Sequence, residues 1–266
     1  MIRVSGQKDP IIALLRELQS SQGRKKHKRF FAEEAEIVRR AFDFGAIVES
    51  LVVTEKLPDT SETAALLQAA YESRTPVYAA TSGLIGKVMD AKPVPSCVAI
   101  VQRTTADIDR VASTPGALIQ VVESCENADN LGMLLRSTEA AGVSAVVLTG
   151  DTTDPFARRV VRGSRGAVFN VPICIEPDVT AVVQAIRTYG VRLVASSARA
   201  DTAHTDIDYA GPVALAVGNE HVGISDQLRD AADVVVRIAM LGRINSLNIA
   251  VAASVLLYEA VRQRRH

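Results

Sequence analysis

The sequence predicts an α/β protein in two parts, a smaller α/β unit followed by a larger domain on a parallel sheet. Three observations carry this expectation. Through the last two thirds of the chain, short continuous apolar runs alternate with helix-length segments, the pattern of strands covered on both faces. A polar stretch at 102–116, with Thr104, Thr105, Asp107, Asp109 and Pro115, separates the two parts and sets expected domains at 1–105 and 106–266. The 266 residues are 48% hydrophobic and 23% charged, so a sizeable core is available and a disordered chain, a collagen-like repeat and a disulfide scaffold are excluded.

In the first part, Asp9-Pro10 ahead of Ile11, Ile12, Leu14, Leu15 and Leu18 predicts a capped amphipathic helix with proline in its first turn. Arg24-Lys25-Lys26-His27-Lys28-Arg29 follows, the densest basic run in the chain. A helix is expected over 32–42, stopping near Gly45, then a strand at 50–54 and a helix at 62–73. Strands at 76–79 and 96–101 complete this part.

Beyond the polar stretch, strands are expected at 117–122, 145–148, 172–175, 192–195, 213–217 and 234–238. Helices are expected at 131–141, 179–189, 225–232 and 246–262. Cys97, Cys125 and Cys174 are widely spaced and form no CxxC, which fits reduced buried thiols better than a disulfide set or a metal site. The first ten residues lack the apolar core of a secretory signal, and the apolar stretch 247–257 is too short to span a bilayer. A soluble, cytoplasmic protein without a membrane partner is expected.

Neither G-x-G-x-x-G nor a Walker A loop follows the first strand of the second part, which weakens redox and NTPase readings. Three other clusters stand where strands end, the usual ligand side of such sheets. The first runs ESCENADNLGMLLRS, with Asn127 and Asn130 in a loop and Arg136 about two turns into a helix. Asparagine supplies donors and acceptors, and arginine is a permanent cation suited to phosphate. From this cluster alone, a plain helix cap by Asp129 or Asn130 with a surface arginine is the favoured reading. The second is LAVGNEHVG, where Gly218 permits close backbone approach and Glu220 follows two residues on. An ordinary strand-to-helix turn would look the same. In the third, Ser246, Leu247 and Asn248 open the last helix. Ser246 makes a good N-cap, but Asn248 against Ile249, Val251, Ala252 and Val255 needs a polar partner.

Taken together and in this order, the clusters resemble the SpoU/TrmH family of RNA 2′-O-ribose methyltransferases. The family's N-x-x-N-x-G-x-x-x-R element matches Asn127 to Arg136, its G-x-E-x-x-G matches Gly218 to Gly223, and its S-L-N matches Ser246-Leu247-Asn248. The first part loosely resembles the ribosomal-protein-like RNA-binding domain that often precedes the catalytic domain. The resemblance implies a C-terminal trefoil knot, a homodimer, and S-adenosylmethionine as the cofactor with no metal. It implies cofactor contacts at Gly218, Ile238, Met240 and Leu247, and catalytic roles for Asn130, Arg136, Glu220, Ser246 and Asn248. The implied reaction is methyl transfer to a ribose 2′-hydroxyl of RNA, ribosomal RNA in preference to transfer RNA. A non-enzymatic RNA-binding or assembly factor on the same fold is the alternative.

Formal charge is balanced, 30 Lys+Arg against 30 Asp+Glu, which argues against RNA unless the charges are segregated. Candidate RNA-binding cations are Arg24, Lys25, Lys26, Lys28 and Arg29 in the basic run, and Arg158, Arg162 and Arg165 on one helix face. No acid stands between Asp154 and Glu176 to pair with that face, so phosphate binding is expected over a merely solvated surface. Arg262, Arg264 and Arg265 add a basic tail, and Glu33, Glu34, Glu36, Asp226 and Asp230 are among the offsetting acids.

Overall fold

A computed structural model describes residues 1–219 and 221–264, and the chain divides into two compact units. The first unit holds Met1–Thr104 together with Phe156–Asn170, and the second holds Thr105–Pro155 with the remainder. The first unit opens with β1 (Ile2–Arg3) and α1 (Pro10–Glu17), whose N-cap Asp9 accepts from the Ile11 N–H as the Asp-Pro signal predicts. Then come α2 (Ser21–His27), β2 (Arg29–Glu33), α3 (Ala35–Asp43), β3 (Val48–Thr54), α4 (Ser61–Glu72), β4 (Val77–Ala80), α5 (Ser82–Met89) and β5 (Cys97–Gln102). The five strands form a mixed sheet in the order β1-β4-β3-β5-β2. One face buries Ile12, Leu15 and Leu18 of the α1 region against Phe31, Val52, Val98 and Ile100.

β1, α2 and the short elements at Ile108–Ala112 and Thr202–Ala203 lie beyond those expected, and two larger departures have a common cause. Residues 32–42 do not form one helix, because Phe30 to Glu33 pair antiparallel with Val98 to Val101 and bury both phenylalanines before α3 begins. α5 was not anticipated; Thr81 caps it by accepting from the Leu84 N–H. In both cases tertiary burial outweighs local propensity.

The second unit comprises α6 (Ile108–Ala112), β6 (Leu118–Glu123), α7 (Ala128–Ala140) and β7 (Ala145–Thr149). After α8 (Arg158–Gly163), which groups with the first unit, it continues with β8 (Ile173–Ile175), α9 (Val179–Thr188), β9 (Arg192–Ser196) and β10 (Thr202–Ala203). β11 (Val213–Val217), α10 (Asp226–Ala231), β12 (Val234–Arg237) and α11 (Ile249–Arg264) complete it. The sheet order is β10-β12-β9-β11-β6-β7-β8, with every recorded pairing parallel. β6 and β11 are buried along their whole length and β9 through its centre, as strands covered on both faces must be. Cys97, Cys125 and Cys174 are buried and form no disulfide, and burial pushes the Cys97 and Cys174 thiols up to about 12.

The 156–170 segment overturns the expectation of unpaired arginines. Arg158 makes a bidentate pair with Glu33, both bonds 2.8 Å, and donates to Met89 O. Arg165 pairs with Glu34 and Glu36, and Arg40 bonds both Glu36 and the Arg165 carbonyl. Phe30 packs at a 45° tilt against Phe156, ring centroids 4.9 Å apart, and stacks on Phe169 at 6.0 Å. The acids absent from the local sequence are supplied from more than a hundred residues upstream. Arg162 remains exposed.

The basic run is also partly consumed. Arg24 is buried and caps the end of α1 by donating to Leu18 O and Gln19 O, so it is not a surface cation. Lys26 and His27 both bond Glu17, at 2.8 and 2.7 Å, and hold its carboxyl down at about 2. Arg29 pairs with Glu49. Lys25 and Lys28 stay exposed. At the other end of the chain, Arg262 pairs with Glu259, while Arg264 donates to the carbonyls of Tyr209, Gly116, Ala117 and Gly211. The basic tail is therefore a tether for α11; Arg265 lies outside the described residues.

Two stability predictions follow from these pairs. Arg158→Met leaves the buried Glu33 carboxylate without its cation, and should lower unfolding free energy by about 3 kcal/mol in urea denaturation; an unchanged midpoint would exclude the pairing. Glu259 is held at about 2, below its ordinary 4.5, first by the hydrogen bond from Arg262. Its contribution is present above about 4.5 and lost as pH falls towards 2. The stability gap between wild type and Glu259→Gln should accordingly close on acidification, as read from urea midpoints across that range.

Candidate functional site

The parallel sheet of the second unit brings the carboxyl ends of β12, β9, β11 and β6 side by side, where ligands of such sheets bind. After β6, Asn127 caps α7: its Oδ1 accepts from the N–H groups of Asp129 and Asn130, at 2.9 and 3.3 Å. The cap is thus Asn127, not Asp129 or Asn130. That leaves the Asn130 side chain, in a buried residue, to accept from Asn248 Nδ2 at 2.8 Å. Asn248 Oδ1 in turn accepts from the Ala250 N–H at 2.9 Å and opens α11. The polar partner that Asn248 requires is Asn130, 118 residues earlier. Ser246 is exposed and precedes α11 by three residues, so it is not the helix cap. Arg136 is exposed on α7 and engages no hydrogen bond or ion pair among the described residues.

The loop after β11 folds back on itself. Gly223 N–H donates to Asn219 O at 2.8 Å, and a Cβ on Gly218 would lie 2.4 Å from the Gly223 carbonyl, so only glycine fits. Asn219 is buried: its Oδ1 accepts from His221 N–H, and its Nδ2 donates to Ser124 O at 3.0 Å and Glu126 Oε1 at 3.3 Å. Glu123, buried at the end of β6, accepts from the Ser225 N–H at 2.7 Å. Asn219 and Glu123 therefore fasten this loop to the one after β6. Neither was singled out from the sequence, although each is a polar residue ending an apolar strand. Glu220, a candidate from the sequence, lies outside the described residues.

A cavity of about 840 Å³ opens among the strand-end loops. Gly218, Ile238, Met240 and Leu247, the four residues singled out for cofactor contact, all line it, as does Ser246. Asn130, Arg136 and Asn248 are not part of its lining. The loop after β9 contributes Ser196, Ser197 and Arg199, none of which belongs to a recognisable motif. Among the described residues no cluster of His, Cys, Asp or Glu is arranged to hold a metal, and no helix is long and apolar enough to cross a membrane.

These features define a parallel-sheet α/β domain with a ligand cavity at its strand ends and an asparagine pair joining the first and last motifs. The SpoU rRNA Methylase family model matches residues 117–258, more than half of the chain, and the chain belongs to that family. Among its relatives is the 23S rRNA (uridine(2479)-2′-O)-methyltransferase of Streptomyces viridochromogenes, 34% identical over 175 residues, 64% of this chain and 61% of the relative. The 23S rRNA (guanosine-2′-O-)-methyltransferase RlmB of Xanthomonas axonopodis pv. citri is 35% identical over 153 residues, 58% of this chain and 61% of the relative. These alignments thus span less than two thirds of the curated relatives. Solved structures match more extensively. An AdoMet-bound rRNA methyltransferase from Sinorhizobium meliloti superposes with a TM-score of 0.87 at 28% identity, covering 98% of this chain and 97% of that one. The SpoU methyltransferase AviRb from Streptomyces viridochromogenes gives 0.85 at 28% identity, covering 97% and 98%. The α/β fold with its parallel-sheet domain is that of the knotted SpoU methyltransferases.

Asn248→Ala removes both the bond to Asn130 and the turn that opens α11. It should destabilise the protein by about 1–2 kcal/mol in urea denaturation; no loss would mean that the asparagine pair does not hold the helix.

Proposed function

We propose that this protein transfers a methyl group from S-adenosylmethionine to a ribose 2′-hydroxyl of RNA, with ribosomal RNA as substrate. The observation that carries the reading is spatial: the four cofactor candidates share one cavity while Asn130 and Asn248 join the first and third motifs. The cavity volume is within the range of about 300–1,000 Å³ common to small-molecule sites. Backbone groups at the ends of β11 and β12, beside apolar Ile238, Met240 and Leu247, are a suitable donor set for a flat, apolar adenine with a polar edge. Its similarity to 23S rRNA methyltransferases supports ribosomal RNA.

The cofactor supplies an already activated methyl group on a sulfonium, so the chain's work is positioning and charge stabilisation. Arginine does not deprotonate in proteins, so Arg136 acts electrostatically and not as a base. It clamps the phosphate beside the reacting ribose and stabilises negative charge developing on the 2′-oxygen, while the proton leaves to phosphate or water. Asn130 and Asn248 hold α7 against the start of α11 and thereby set where Arg136 stands. Ser246 helps orient the ribose, and the first unit binds RNA through Lys25, Lys28 and Arg162.

A homodimer is part of this proposal. Met133 on α7, 47% exposed, and Val251 and Tyr258 on α11, 47% and 50% exposed, form apolar faces on two helices that pack together. A second copy covering them would bury the apolar surface. The cytoplasm is the proposed location.

Incubating the protein with methyl-labelled S-adenosylmethionine and either ribosomal or transfer RNA tests the reading. Label should enter ribosomal RNA at an alkali-resistant linkage, and Arg136→Ala should lower kcat by roughly a hundredfold or more. Label confined to transfer RNA would reassign the substrate, and no label in either would refute the activity. Full activity in Arg136→Lys would exclude bidentate phosphate recognition.

A further inference from the structure

The loop that follows β9 lies between the other two cavity loops, because β9 sits between β12 and β11 in the sheet. It is held from the β12 side and by a bond within the loop. Arg237, at the end of β12, donates to Ala200 O at 3.0 Å and to Asp201 O, and the Arg199 N–H donates to Ser197 Oγ at 3.3 Å. Three arginines line the cavity, Arg199, Arg229 and Arg237, and no acid among the described residues lines it with them. Two of the three are occupied: Arg229 pairs with Asp226 and Asp230, and Arg237 fastens the loop. Arg199 alone of these presents an exposed guanidinium that makes no hydrogen bond or ion pair among the described residues.

An unengaged guanidinium at the rim of a ligand cavity is a ready partner for an anion. We propose that Arg199 receives the amino-acid carboxylate of S-adenosylmethionine, an inference that rests on the cofactor reading above. That carboxylate is the cofactor's single anionic group, and the sulfonium and ammonium are cations that Arg199 repels. Turning the carboxylate towards Arg199 sets the one anion of the cofactor against the one unengaged guanidinium of the cavity. An RNA phosphate is the competing anion, and position argues against it. β9 is separated from β6, and hence from the loop leading to α7 and Arg136, by the intervening β11. Neighbouring strands lie about 4.8 Å apart. Arg199 therefore stands two strands away from β6 and the loop leading to Arg136, where the tail of the cofactor can lie. Its planar fork suits a carboxylate in two-point contact.

Calorimetric titration of the full-length protein with two ligands separates these possibilities. S-adenosylhomocysteine keeps the amino-acid group, and 5′-methylthioadenosine lacks it. For Arg199→Gln, affinity for S-adenosylhomocysteine should fall about tenfold or more, while that for 5′-methylthioadenosine changes less than about twofold. Arg199→Lys should recover part of the loss by restoring the charge without the fork. An equal loss for both ligands, or a loss for neither, would overturn the proposal and leave the cofactor reading standing. Unchanged S-adenosylhomocysteine affinity with weakened ribosomal RNA binding would overturn it in favour of a phosphate contact. Wild-type protein that binds neither ligand would refute the cofactor reading and this inference together.

Discussion

The hydrogen bonds that tie the strand-end loops of the second unit to one another are the constraint on which its site depends. A parallel sheet aligns its carboxyl ends but leaves the loops beyond them to chance. Here the loop after β11 is fixed to the loop after β6 at two points, through Asn219 and Glu123, both buried. α11 is fixed to α7 through the amides of Asn248 and Asn130. Asn219, Glu123 and Asn130 are buried, and any arrangement that broke these bonds would leave their polar groups unpaired away from water. The cavity keeps its shape because these loops cannot move independently.

Charge in this molecule is organised differently from the way its sequence suggests. A balanced chain with three basic stretches invites a segregated surface, positive in some places and negative in others. The fold instead brings several of those stretches onto the acids that balance them: Arg158 onto Glu33, Arg165 onto Glu34 and Glu36, Lys26 and His27 onto Glu17. The cations left exposed, Lys25, Lys28 and Arg162 among them, are fewer than the counts imply. For the proposed RNA substrate, modest electrostatic attraction would leave selection to shape and local contacts.

What could be read in advance had local or motif-level signals. Asp9-Pro10, the apolar strands and the requirement of Asn248 for a polar partner follow from residue chemistry at short range. What could not be read was set by distance along the chain. The acid opposite Arg158 is 125 residues away, and nothing near Ala32 announces that Phe30 and Phe31 will be drawn into a strand beside β5. Ser246 carries the residue type of a helix cap, yet Asn248 makes that turn, because its amide has a second partner in Asn130. Arg199 had no motif around it and emerged only once three loops enclosed the same space.

The inclusion of residues 156–170 in the first unit bears on how the protein is made. Phe30 packs on Phe156 and Phe169, and Glu33 is satisfied by Arg158, so the first unit lacks part of its interior until those residues have left the ribosome. By then β6, α7 and β7 of the second unit have already been synthesised. Domain-by-domain folding from the N-terminus, the usual course for a growing chain, is therefore not open in its simple form. The first hundred residues must wait, with a buried carboxylate unpaired and an aromatic face uncovered, for a segment that arrives fifty residues late.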